Sequence, residues 1–259
     1  MASTFQKLSK STAILSGANA VQAAAAFALL PVYTRYLTPA DYGLAELLIT
    51  SITLSTIVTG QGIPSAVGRR LNFVYRDDND AQKTSVSTAI GYLSFCGIVF
   101  CAVVALFSTA VSSAVMDSPQ YGDLVLVGLV VTLVRGAGSV CEITLSAHFR
   151  ATSVAAVRLT SFLTRAGLIL YLLIVSTWGF ESLVYGLAAS EIISSGLALF
   201  LVRRYLALRF SMKELRAMLA YGLPLLGSAG AFFILSLSNR YFLNYMTGPT
   251  EVGLYSIAD

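Results

Sequence analysis

Apolar residues occupy this chain in long blocks separated by short hydrophilic gaps. Seven blocks reach the length of a membrane span, roughly Thr12 to Val32, Gly43 to Val67, Val86 to Ala110, Tyr121 to Leu145, Ser153 to Thr177, Ser182 to Val202 and Ala220 to Leu243. An eighth opens at Val252. A helix needs about 20 mostly apolar residues to cross the hydrocarbon. Lipid offers no hydrogen bonds to the backbone, so each block is expected to be an α-helix that satisfies its own peptide groups. The gaps are short, and consecutive helices should therefore be antiparallel neighbours. The pattern predicts an all-α, polytopic integral membrane bundle.

Composition agrees. Only 12% of the residues are charged against 56% hydrophobic, with mean hydropathy +0.75, too few charges to cover a soluble surface. The formal charge of +4 does not mark a nucleic-acid partner, because the basic residues sit in the gaps and form no stripe along a polar face. The N-terminus carries Lys7 and Lys10, the second gap Arg69, Arg70, Arg76 and Lys83, the fourth Arg150, and the sixth Arg203, Arg204, Arg209, Lys213 and Arg216. The third, fifth and seventh gaps have none, and the first has only Arg35 at its edge. This alternation predicts an N-terminus in the cytoplasm. Lys7 and Lys10 before Ala23 to Ala26 imitate a cleaved signal, but Ser11, Thr12, Ser16, Asn19 and Gln22 interrupt it, so a first membrane helix is expected.

Local chemistry adds little of the soluble kind. Cys96, Cys101 and Cys141 lie inside apolar blocks without CxxC spacing and read as packing residues, with no disulfide expected. Asp77, Asp78 and Asp80 lack the Gly and distal Glu of an EF-hand and read as a solvated loop. His148, the only histidine, has no neighbouring ligands, and neither a metal nor another cofactor is expected. Between the sixth and seventh blocks, Ser211 and Glu214 fit a capping box and Phe210 with Leu215 a hydrophobic staple. Met212, Leu215, Met218 and Leu219 share a face opposite Lys213 and Arg216. An interfacial helix is therefore expected over 205–219, joining a six-helix lobe, 1–204, to the start of a second unit, 220–259.

One segment recurs. A constant offset of 210 superposes Pro39 on Pro249, Asp41 on Glu251, Gly43 on Gly253 and Leu44 on Leu254. Each copy follows an Arg-Tyr pair, Arg35-Tyr36 and Arg240-Tyr241, the second at a spacing five residues longer. TRYLTPADYGLAEL at 34–47, YGLPLLGSAG at 221–230 and SNRYFLNYMTGPTEVGLYSIA at 238–258 closely resemble the polysaccharide transport family of oligosaccharide flippases, which shares a superfamily with MATE-type multidrug exporters. The resemblance implies a bacterial inner-membrane protein with two six-helix lobes related by a pseudo-two-fold axis, sometimes with two extra helices. It implies a polyprenyl-diphosphate-linked oligosaccharide turned over between the leaflets through a cavity between the lobes. The offset fits such parallel repeats. Since family members carry a full second lobe, the chain reads as the N-terminal half of a flippase: one six-helix lobe and the first one or two helices of the next. Expected partners are the lipid-linked oligosaccharide, membrane lipids and the polymerase and export proteins of polysaccharide assembly. The alternatives are a MATE-like drug or cation exporter, which should prefer acidic cavity residues, and a membrane enzyme, for which the short loops leave little room. No catalytic residue is expected.

Charges inside the hydrocarbon are expensive and become functional candidates for that reason. Arg135 and Glu142 are seven apart in the fourth block, as are Arg158 and Arg165 in the fifth, so each pair shares a helix face. Measured from the turn at Arg150, Glu142 and Arg158 are both about 12 Å deep and Arg135 and Arg165 both about 22 Å, at about 1.5 Å per residue. Glu142 and Arg158 read as an ion pair. Arg135 and Arg165 read as two cations at one depth without an acid partner, suited to a diphosphate through bidentate guanidinium contacts. Arg35 and Arg240 occupy related places in the two repeats, on the first and seventh helices, which the family resemblance places beside the central cavity as further candidate cations, with outer-headgroup snorkelling the other reading of Arg35. Glu46, Glu142 and Glu191 serve either ion coupling or intramembrane pairing. Pro31 and Pro224 are expected to kink their helices. Tyr33, Tyr36, Tyr42, Tyr121, Tyr241 and Tyr245 read as an interfacial belt.

Overall fold

The first repeated segment begins with a helix cap. Thr38 is extended (φ −74°, ψ 158°); its Oγ1 accepts from the Asp41 backbone N–H at 3.2 Å, and its own N–H donates to the Asp41 carboxylate at 3.0 Å. This reciprocal capping box satisfies two orphan donors, and Pro39 at the first helical position loses nothing by lacking an N–H. The computed structural model describes residues 2–76, 78–176 and 178–258. They form helices α1 (Ala2–Tyr36), α2 (Pro39–Gly60), α3 (Ile63–Arg69), α4 (Asn79–Ala105), α5 (Ser108–Met116), α6 (Gly122–Ala147), α7 (Ala151–Ile174), α8 (Glu181–Val202), α9 (Met212–Ser236), α10 (Asn239–Thr247) and α11 (Pro249–Ala258). Seven spans are long and apolar enough to cross a membrane. The protein is a multi-pass, all-helical membrane bundle, as the block pattern predicts.

Three expected helices are interrupted. The second block does not run unbroken to Val67: Gln61 (φ 46°) and Gly62 (φ 67°) take left-handed conformations and end α2 before α3 starts, followed by a π turn at Arg70–Val74. Gly62 has a second constraint, since any Cβ there would meet the backbone of Gly222 on α9. The third block divides into α4 and α5, with Asp78 capping α4 by accepting from Ala81 N–H at 3.0 Å. The seventh block breaks at Leu237–Ser238, where the Phe233 carbonyl accepts from both Leu237 N–H (2.8 Å) and Ser238 N–H (3.1 Å). The Ser238 hydroxyl caps the Ile234 carbonyl. This i−5 bonding, with Ser back-bonding, unwinds the ladder. Pro31 and Pro224 lie inside helices that continue past them, so neither proline is the place where its block breaks.

The 205–219 segment differs from the expected interfacial helix. Arg203–Tyr205 is a single 3₁₀ turn, and the chain then runs along α4, where Ala207 N–H donates to Ser87 Oγ (2.8 Å) and Ser211 N–H to Thr88 Oγ1 (3.1 Å). Helix α9 starts at Met212 and continues without a stop into the seventh span. Leu215 and Met218 are buried in the lobe, against Val86, Val140 and Leu145. Leu215, Met218 and Leu219 of the amphipathic face therefore pack on protein, while Met212 stays exposed. Only half the capping box forms: Ser211 Oγ accepts from Glu214 N–H, while the Glu214 carboxylate pairs with Arg70 (3.1 Å) and accepts from Tyr75 O–H (2.7 Å).

Two apolar clusters hold the lobe. One gathers Val86, Val140, Leu145, Val154, Val202 and Met218; the other gathers Leu48, Ile52, Val131, Ile169, Leu173 and Leu187. On α6 the two clusters are separated by the stretch containing Arg135, on α7 by that of Arg158 and Arg165, and on α8 by that of Glu191. Arg135, Arg158, Arg165 and Glu191 thus form a polar layer between two apolar clusters.

The two repeated segments meet. A Cβ on Gly43 would strike the Pro249 carbonyl, and a Cβ on Gly253 would strike the Pro39 carbonyl. Each glycine thus lets the other copy's first turn lie directly against its backbone, a reciprocal contact with local two-fold character. Gly43→Ala or Gly253→Ala should destabilise the α2–α11 contact by about 1–3 kcal/mol, because the obstructing atoms are backbone. Gly17→Ala, where a Cβ meets nothing within 4 Å, is the control. Thermal unfolding in detergent should show a lower Tm for the first two and no loss for the third.

Candidate functional site

Helix α8 packs extensively on both α6 and α7, whereas α6 and α7 touch each other much less. That arrangement decides the charge partners. Arg135 on α6 faces α8, donating to Glu191 Oε1 from Nη2 at 2.6 Å and from Nε at 3.1 Å. The expected unpaired Arg135–Arg165 couple therefore does not exist: depth along two helices does not bring residues together when a third helix lies between them. Glu142 and Arg158 pair as expected, at 3.4 Å and about one-third exposed. Arg158 also donates to Asn19 (3.4 Å), and its carbonyl accepts from Gln22 (2.8 Å), joining α1 to α7. Arg135, Glu142 and Glu191 line a cavity of about 230 Å³ with Ser139, Ser194 and Ser195.

Arg165 lies in a different cavity, of about 290 Å³, between α1, α2, α7 and α8. Tyr33, Tyr42 and Glu46 share it, with an apolar wall that includes Leu29, Leu30, Ile49, Phe162 and Ile169. No ion-pair partner of Arg165 is present among the described residues. Gly186 shapes this wall, since a Cβ there would collide with Ile169 on α7. Tyr33 and Tyr42, expected as belt residues, were not legible as cavity residues, because only the fold of α1 against α7 decides which way they face. Tyr121 stacks edge-on against Phe180 at 5.0 Å, and Tyr36 and Tyr245 are exposed.

Arg35 and Arg240 are not equivalent in environment. Arg35 is exposed in the last turn of α1, whereas Arg240 is buried, with Nε 3.1 Å from Glu46 Oε1 and Nη1 donating to Ser236 O at 3.4 Å. The longer spacing in the second repeat accommodates α10, so Arg240 opens a helix instead of closing one. Two further bonds, between residues with no sequence signature, hold α10: Tyr241 O–H with Ser51 Oγ (2.8 Å) and Asn244 Nδ2 to Asp117 (2.9 Å).

A family profile described as "Polysaccharide biosynthesis protein" matches residues 32–259. The chain belongs to that family. A search of curated proteins yields no significant match. Among solved structures, this polysaccharide biosynthesis protein resembles a MOP superfamily transporter from Pyrococcus furiosus, described as having a binding pocket of reversed polarity that suggests a different function, with TM-score 0.69 at 16% identity over 92% of this chain and 54% of that one. It also resembles a multidrug resistance MATE family transporter of the same superfamily in its outward-facing conformation, with TM-score 0.68 at 17% identity over 97% of this chain and 58% of that one. The inward-facing form gives 0.63 at 15%, over 88% and 55%. The fold is that of MATE-type transporters, and the chain spans a little over half the length of these structures.

The two ion pairs of the polar layer differ in burial and geometry. Glu191→Gln leaves the Arg135 guanidinium, 27% exposed, without its counter-ion and should destabilise the protein by about 1–3 kcal/mol. Arg158→Gln, in the longer and more exposed pair, should cost about 1 kcal/mol or less. Comparing the two Tm values in one detergent checks the ranking, which fails if Arg158→Gln is the more damaging.

Proposed function

We propose that this family member serves as a flippase that moves a polyprenyl-diphosphate-linked oligosaccharide across the bacterial inner membrane during polysaccharide biosynthesis. The observation that carries this reading is Arg165, a guanidinium in an intramembrane cavity with two phenols, a largely apolar wall and no ion-pair partner among the described residues. A planar fork of N–H donors in a low-dielectric site binds phosphate oxygens far better than it does in water. The apolar wall suits a prenyl chain, and Tyr33 and Tyr42 add hydroxyl donors. Arg135, Arg158 and Arg240 support the site's surroundings through their pairs with Glu191, Glu142 and Glu46.

The same pairing disfavours a drug or cation exporter. A cationic substrate needs an uncommitted carboxylate, and Glu46, Glu142 and Glu191 each hold an arginine. Ion coupling through any of these three would first have to break its pair. Transport by alternating access makes and breaks no bond, so the protein acts as a carrier.

The test uses the full-length protein in proteoliposomes with a fluorescent polyprenyl-diphosphate oligosaccharide. Arg165→Gln should lower the translocation rate about 10- to 100-fold, the value of a lost charge-assisted contact. Arg165→Lys should fall between, since it keeps charge but loses the bidentate fork. Wild-type rates in Arg165→Gln, or transport of ethidium in place of the diphosphate lipid, would overturn the reading.

A further inference from the structure

Glu46 belongs to two structures at once. Its side chain lines the Arg165 cavity, and its Oε1 holds Arg240 Nε at 3.1 Å. Arg240 opens α10, which leads through Gly248 directly into α11, the helix that lies against α2 at Gly43 and Gly253. Tyr42, one turn before Glu46, lines the same cavity as Glu46 and Arg165. The remaining ties of α10 to the first lobe, Tyr241 to Ser51 and Asn244 to Asp117, are neutral or single-acceptor hydrogen bonds outside the cavity.

We propose that Glu46 is a shared counter-ion that makes occupancy of the Arg165 cavity and closure of the α2–α11 junction compete, so that a polyprenyl diphosphate bound at Arg165 releases α10 and α11 from α2. This rests on the reading of Arg165 as the diphosphate site. The Glu46 carboxylate compensates Arg240, whose side chain is only 8% exposed, and lines the same cavity as Arg165. A diphosphate carries at least two negative charges. Placed beside Glu46 in a water-poor cavity, it repels the carboxylate and competes with it for both guanidinium groups. As Glu46 withdraws, Arg240 loses its counter-ion inside a packed junction, and the closed arrangement is destabilised relative to one in which α10 has moved into water or toward the phosphate. The ligand shifts the junction only by its different affinity for the two arrangements, and carboxylate–phosphate repulsion supplies that difference. The Tyr241 and Asn244 bonds of α10 lie outside the cavity, so the Glu46–Arg240 pair is the tie that the ligand perturbs.

Val252 gives the readout, because it is fully buried beside the junction. In the full-length protein with Cys96, Cys101 and Cys141 replaced by Ala, Val252→Cys is labelled in proteoliposomes with a water-soluble maleimide, with and without farnesyl diphosphate. Binding of farnesyl diphosphate is measured separately by equilibrium titration. The ligand should speed labelling at least about fivefold, the lower end of typical coupling between sites. Glu46→Gln should raise the rate without ligand and flatten the response, and Arg240→Gln should do the same should Glu46→Gln fail to fold. Ligand that binds without changing the labelling rate overturns the coupling. If farnesyl diphosphate does not bind the wild type, the diphosphate reading of Arg165 fails by itself. An unchanged labelling rate in both Glu46→Gln and Arg240→Gln then overturns the latch as well.

Discussion

An ionised side chain in hydrocarbon has no water to turn to, and the arrangement of this lobe follows from where it finds a substitute. Arg135 reaches across to α8, Arg158 across to α6 and α1, and Arg240 across to α2. The first and last of these bridges join helices that lie apart in the chain, and the second ties α7 both to its neighbour α6 and to the distant α1, so the charges work as cross-links. Such pairs add little net stability over a well-packed apolar layer, but they are costly to break on one side. They therefore fix which helix faces which. Arg165 has no such bridge among the described residues, and it lines a cavity somewhat larger than that of Arg135.

Where charges set the partners, small residues set the distances. Without a hydrophobic drive between helices in lipid, close backbone approach supplies dispersion and weak polar contact instead. Gly138 brings α6 onto Ser195 of α8, Gly186 brings α8 onto Ile169 of α7, and Gly97 brings α4 onto Leu133 of α6. The same device joins the two repeated segments at Gly43 and Gly253, and joins α3 to α9 at Gly62 and Gly222. Helices α11 and α9 are thus seated on α2 and α3, with a cavity of about 420 Å³ lined by Thr56, Ser65, Ser228 and small or apolar neighbours beside the second contact. An exchange between closed and open arrangements has to part backbones at the first contact and an ion pair at Glu46.

Much of the fold was legible because the membrane imposes it. Block length and the absence of backbone partners in lipid give the seven membrane spans as helices, whatever the details of packing, whereas consecutive spans are not always neighbours, as α6 and α7 show. The offset repeat marked the two segments that prove to touch, and the equal depth of Glu142 and Arg158 on adjacent helices found a true pair. Where the reading departed from the structure, an interaction between distant segments was responsible. The break at Gln61–Gly62 accompanies the approach of Gly222, and the extended run to Ser211 is held by hydroxyls of Ser87 and Thr88. An amphipathic face shows only that one side of a helix is apolar. Whether lipid or protein covers it is settled by what else lies there, and for Leu215 and Met218 that is the core.

By itself, then, the sequence determined the class of molecule, the spans and the set of charged residues that must find partners, because these depend on local composition against a fixed solvent. Tertiary structure alone decided that Arg135 belongs to Glu191, that Arg240 belongs to Glu46, and that Arg165 shares a cavity with two tyrosines. The reason is geometric. Periodicity gives a residue its depth and its face on one helix, but a partner is chosen by the rotation and neighbour order of several helices. Here that order puts α8 between α6 and α7.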